Sequence, residues 1–185
     1  MKNTYLIGYF PLFSILLFSL SFAIYGESQV LIWFDKLGVY QGMLEFFSET
    51  GIKVSLLIVF LLIFFMLFSA LKLISDTNIE LSLLFFSKES EGKSLTSFRL
   101  GAVIYVLGGA VCLMSAASII GMVCIFLLTN LIAFFYFVYK VSGSLGLAGI
   151  VGVIFFHIFL WSAFLSIVTY TAVKLYNGLM ASLPI

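Results

Sequence analysis

A run of forty residues without a charge, 100–139, constrains this chain more than any other feature. An α-helix rises about 1.5 Å per residue, so one helix over this run would be roughly 60 Å long, twice the hydrocarbon core of a bilayer. The run therefore predicts two helices that cross the membrane and return, over 98–116 and 119–139. The small residues at 115–118 form the turn between them.

A second stretch without Asp, Glu, Lys or Arg, 141–173, predicts another crossing over 147–173. Apolar runs at 4–25 and 51–74 predict two more. The predicted fold is thus an all-α integral membrane protein, a five-helix transmembrane bundle that occupies 1–185 as one domain.

The composition supports this fold and narrows the function. With 63% apolar and 9% charged residues and a mean hydropathy of +1.26, the chain cannot form a soluble surface. A net charge of +1 argues against nucleic acid, which requires a basic surface. Two cysteines, Cys112 and Cys124, exclude a disulfide framework and are expected to be buried thiols at equal depth. We expect neither a cofactor nor a metal.

The segment 30–49 is too polar to span a membrane. Its apolar residues recur at steps of three and four, which is typical of an amphipathic helix. We therefore predict an interfacial helix on the outer side of the bundle. Its large apolar residues are Trp33, Leu37, Tyr40, Leu44 and Phe47.

The charged residues Lys72, Asp76 and Glu80 lie four apart, on one helix face. Two interpretations remain open for 76–86. The second span continues through them, or a new amphipathic helix begins at the capping box that starts with Thr77. Asp76 and Glu80 are the remaining candidates for a carboxylate that couples an ion, and a stripe that is solvated or paired with Lys72 is the simpler interpretation.

Basic residues near the span ends predict the orientation, with the N-terminus cytoplasmic and the C-terminus outside. Six basic residues then lie inside and three outside: Lys2, Lys72, Lys88, Lys93, Arg99 and Lys140 inside, and Lys36, Lys53 and Lys174 outside.

Small residues along two spans predict close helix packing, because they let backbones approach each other. The spacing of those at 146–152 does not fit a nucleotide-binding loop, which also needs a preceding strand. The predicted packing residues are Gly101, Gly108 and Ser115 on the third span, and Gly146, Gly149 and Gly152 at the start of the fifth.

Asn130 and His157 are polar residues near the midplane of the fourth and fifth spans. Hydrocarbon offers them no hydrogen-bond partner, so we expect both to face the interior and to pair with each other. The pair is either a link between helices or, with Trp161 one turn after His157, a ligand site. The sequence leaves both interpretations open.

The acidic residues exclude several functions. All eight lie between Glu27 and Glu91, so the last three spans have no carboxylate that could couple an ion. A single histidine cannot form an HExxH zinc site, and no serine stands in a motif beside it, so no catalytic residue is assigned. We expect a non-enzymatic membrane protein that packs with itself or with a membrane-protein partner. The alternative is a small transporter, channel or binding subunit for a neutral or apolar solute.

Three segments carry a resemblance to a known family. They are the opening residues 1–12 (MKNTYLIGYFPL), residues 81–88 (LSLLFFSK) and the ending 174–184 (KLYNGLMASLP). The chain resembles the YufK family of Bacillus membrane proteins over its whole length. The resemblance implies a bacterial plasma membrane location and supplies no substrate, activity or site residue.

Overall fold

The computed structural model describes residues 4–87 and 101–182, which form helices and connecting turns without a strand. The all-helical prediction is confirmed for this part of the chain. The helices are α1 Thr4–Lys36, α2 Val39–Leu44, α3 Glu49–Phe86, α4 Ala102–Met114, α5 Ile119–Val141 and α6 Leu147–Ser182.

Four of these helices are long and apolar enough to cross a membrane: α1 from Gly8, α3, α5 and α6. Helix α4 has 13 residues and is about 20 Å long, which is shorter than the hydrocarbon core. The predicted third span began at residue 98, and residues 98–100 lie outside the described part. The structure thus supports four crossings by length and adds one shorter apolar helix.

The first span does not end at residue 25, because α1 continues to Lys36. Gly26 lies within this helix, and the aromatic ring of Phe60 on α3 packs against its position. The helix ends at Lys36, two residues before Gly38, whose φ of 71° belongs to the left-handed region. In place of one interfacial helix over 30–49, the structure therefore has the end of α1, a turn and the short α2.

The second span continues without a break to Phe86. Thr77 does not begin a new helix, because its hydroxyl donates to the carbonyl of Leu73 within the same helix. Of the two interpretations of 76–86, the structure shows the continuous one. At the other end, Ser48 caps α3 by accepting a hydrogen bond from the backbone N–H of Gly51.

Helices α1, α3, α4, α5 and α6 run in alternating directions along the chain. On α1 and α3, Gly26 faces Phe60, and Phe18 packs on Phe68 with ring centroids 5.8 Å apart. On α4 and α5, the Cys112 thiol lies 3.9 Å from the Met122 carbonyl, next to the turn. The start of α1 and the end of α6 therefore lie at opposite ends of the bundle, which we call the lower end and the upper end.

Two apolar clusters hold the bundle together. The upper cluster joins α1, α3, α4 and α5, and its buried members are Phe18, Phe68, Cys112 and Met122. The lower cluster joins α3, α5 and α6, and its buried members are Ile79, Leu83, Phe137, Val141, Leu145 and Val153. Helix α6 has buried members only in the lower cluster.

Candidate functional site

Asn130 occupies the middle of α5 and bonds to two groups. Its amide nitrogen donates to the carbonyl of Phe126, one turn earlier, at 2.8 Å. Its Oδ1 accepts from the hydroxyl of Tyr105 on α4 at 3.4 Å. Asn130 therefore links α4 and α5, and sequence reasoning did not identify Tyr105 as its partner.

Helix α3 carries a separate ion pair. Lys72 and Asp76 form it one turn apart, and both side chains are partly buried. Glu80, one turn further, is exposed. Within residues 4–87 and 101–182, no three His, Cys, Asp or Glu side chains form a group that could hold a metal.

The sequence predicted that His157 pairs with Asn130, and this prediction was wrong. Its Nε2 accepts from the indole N–H of Trp161 at 3.3 Å, and its ring stacks on Phe134 with centroids 4.6 Å apart. The physical reason is depth, because His157 packs on Phe134, one turn past Asn130 along α5. The other ring nitrogen, Nδ1, is buried without a hydrogen-bond partner. Asn130 and His157 thus belong to two separate polar contacts.

Asn78 on α3 is a buried polar residue that sequence reasoning did not consider as a site. It is only 2% exposed, and neither amide atom has a hydrogen-bond partner. The sequence signal was its position two residues from Asp76, on the other side of the helix from the charged stripe. An unpartnered amide costs roughly 1 to 3 kcal/mol, so Asn78 is a weak point of the bundle.

Three glycines lie where helices meet closely. A methyl group at Gly108 would collide with the Thr129 side chain on α5, and one at Gly152 would collide with the Phe86 ring. At Gly149 it would come within 3.0 Å of the Phe86 carbonyl. These positions bring α4 against α5 and α6 against α3.

The other predicted packing residues have different surroundings. Gly146 has open space around it. Gly101 is buried and stands at the start of α4. Ser115 ends α4, and its hydroxyl lies against Gly121 across the turn. Sequence reasoning missed Gly109, where a methyl group would come within 2.8 Å of Leu17 on α1.

The two cysteines differ in their surroundings. Cys112 is buried in the upper cluster, whereas Cys124 is exposed. The expectation of two buried thiols was therefore wrong for Cys124. Its side of α5 faces away from the other helices, because Met122 is the residue that fills the interior there.

Known proteins resemble this chain over most or all of its length. Residues 27–184 match the model of the DUF5366 family, which is described as a family of unknown function. The chain belongs to the DUF5366 family. It is 43% identical over 185 residues to "Uncharacterized membrane protein YufK" of Bacillus subtilis (strain 168), covering all of both chains. No solved structure matches it.

The predicted resemblance is thus confirmed. This DUF5366 member is a membrane protein with several apolar helices, from a family without an assigned activity.

Proposed function

We propose that this protein is a non-enzymatic accessory protein of the bacterial plasma membrane that acts by packing against another membrane protein. The observation that carries the proposal is the exposure of α6. Every residue from 165 to 182 is exposed, and these residues are called here the exposed half of α6. The first half is held by the lower cluster through Val153.

The length of α6 supports a protein partner in addition to lipid. With 36 residues, α6 is about 54 Å long, well beyond the roughly 30 Å of a hydrocarbon core. Tilt does not absorb this difference, because tilts in membrane proteins stay within about 40°. Apolar residues such as Leu179 near its end therefore reach the headgroups or water, where a partner surface stabilises them.

The polar groups of the interior support a structural role. Asn130 bonds to Tyr105, and Lys72 pairs with Asp76. The first of these joins two helices, and an interhelical hydrogen bond contributes about 0.6 to 1.7 kcal/mol. The second lies within α3. None of these groups stands free as a nucleophile or general base, which favours assembly over catalysis.

The proposed topology has five crossings, with the N-terminus in the cytoplasm and the C-terminus outside. The alternating directions of the helices and the excess of basic residues at the lower end support it.

Photo-crosslinking tests the proposal directly. A photoreactive amino acid replaces Ile167 in the exposed half of α6, and in a matched control it replaces Leu127, an exposed residue of α5. We expect a protein adduct of one defined size from position 167 and none from position 127. Adducts with lipid alone at both positions would overturn the proposed role.

A binding subunit for a neutral solute is the second candidate. It is favoured by one observation, the buried Nδ1 of His157 without a partner. Because Nε2 accepts from Trp161, Nδ1 carries the proton and could donate to a ligand oxygen. Native mass spectrometry that retains a small ligand on the wild type and loses it in His157→Phe would support this function.

A further inference from the structure

The exposed half of α6 has a counterpart of matching depth on α3. Between residues 54 and 67, α3 presents large apolar side chains that no other helix of the described chain covers. They are Val54, Ile58, Val59, Leu62, Ile63, Met66 and Leu67, each about half exposed or more. We call this surface the outer face of α3.

The contacts within the bundle show that the two surfaces lie at the same depth. His157 on α6 stacks on Phe134 of α5, and the two helices run in opposite directions. Lys174 lies about 25 Å from His157 along α6, and the turn at 115–118 lies about 25 Å from Phe134 along α5. Both distances run towards the upper end. Lys174 therefore reaches the depth of that turn.

The same depth can be followed across to α1 and α3. Gly109 on α4 packs on Leu17 of α1, and these two helices run in parallel. The turn after α4 is thus level with α1 near residue 24. Since Gly26 faces Phe60, this level corresponds to about residue 62 of α3, the middle of its outer face.

The charges at this depth are complementary. Lys174 is the only charged residue of α6, and it is exposed. Glu27 on α1 lies about one turn from the depth of Lys174, and the other acids of the upper end lie further up. The ion pairs in the described residues are Lys53–Glu49 and Lys72–Asp76, so neither Lys174 nor Glu27 takes part in one.

The surface of α6 also has a shape that a helix can fit. A shallow groove lies beside Lys174, between two rows of side chains spaced four residues apart. Gly178 leaves the groove open, because nothing lies within 4 Å of the position of its missing side chain. Rows spaced four apart on one helix pack into such grooves on another.

We infer that the occupant of the exposed half of α6 is a second copy of this chain. This inference rests on the proposed function and names its partner. Copies inserted in one membrane share one orientation, so Lys174 of one copy meets Glu27 of its neighbour at the same depth. A two-fold axis along the membrane normal lets each copy place its α6 on the outer face of α3 of the other.

Disulfide crosslinking between two differently tagged chains tests the inference. One chain carries Lys174→Cys and the other Glu27→Cys, both with Cys124→Ser to remove the exposed native thiol. We expect a disulfide-linked dimer that carries both tags after mild oxidation in membranes. The matched control pairs Lys174→Cys with Tyr139→Cys, an exposed position near the lower end, and gives no dimer.

Charge exchange provides a second measurement. Lys174→Glu and Glu27→Lys each remove both exposed ion pairs of the two-fold dimer and weaken dimerisation by roughly two- to thirtyfold, and the double variant recovers it. Absence of the mixed dimer, or equal yields for both cysteine pairs, would overturn the second copy as partner. If the photoadduct at position 167 still forms and contains another protein, the proposed function stands and only this inference fails.

Discussion

The hydroxyl of Tyr105 on α4 donates to Oδ1 of Asn130 on α5, so two helices that the chain connects by a short turn are also linked by a polar contact in the interior. The contact is 3.4 Å long, near the upper limit of a hydrogen bond.

We expect Tyr105→Phe to lower the stability of the bundle by about 0.6 to 1.7 kcal/mol, because Oδ1 of Asn130 loses its donor. The free energy of unfolding in detergent micelles measures this change. Tyr139→Phe is the control, since Tyr139 is 74% exposed. An equal effect of both substitutions would show that the link contributes nothing.

Gly108→Leu is expected to lower the melting temperature in detergent clearly, because the new side chain meets Thr129 and separates α4 from α5. Gly146→Leu is the matched control, since Gly146 has open space around it. A bundle in which both variants melt like the wild type would argue against close packing at Gly108.

Asn78→Leu should leave the stability unchanged or raise it by up to roughly 3 kcal/mol, because it removes a buried amide without partners. The paired comparison is Asn130→Leu, which removes a bonded amide and should destabilise the bundle. Chemical unfolding of both variants gives the comparison. Destabilisation by Asn78→Leu as large as that by Asn130→Leu would reveal an amide partner.

His157→Phe is expected to cost about 1 kcal/mol, because Trp161 loses its acceptor while the new ring keeps the stacking on Phe134. Trp161→Phe removes the same bond from the other side and should cost a similar amount. Together the two substitutions should cost little more than either alone, as measured by a double-mutant cycle. Fully additive losses would contradict a shared bond.

The topology predicts opposite accessibility for two exposed positions. A thiol at Gly143, between α5 and α6, should react with a membrane-impermeant reagent only after the membrane is permeabilised. A thiol at Leu37, which is 71% exposed after the end of α1, should react on intact cells. The reverse pattern would invert the proposed orientation.

Uncharged runs alone determined the class of this protein. A forty-residue run without a charge has one stable solution in a bilayer, a pair of helices that satisfy their own backbone hydrogen bonds. Lys140 and the polar residues after it mark the connection that separates this pair from α6. The continuous α3 was one of two interpretations that local pattern allowed, because Thr77 could cap a helix or bond within one.

Only the tertiary structure decided which side chains meet. The sequence suggested equal depth for Asn130 and His157, but His157 packs on Phe134, one turn past Asn130 along α5, so the predicted pair was wrong. The contact of Gly26 on α1 with Phe60 on α3, 34 residues away in sequence, was likewise visible only in the tertiary structure. The exposure of this half of α6 could not be predicted from the sequence either, because an apolar helix has the same pattern whether lipid, its own bundle or a second copy covers it.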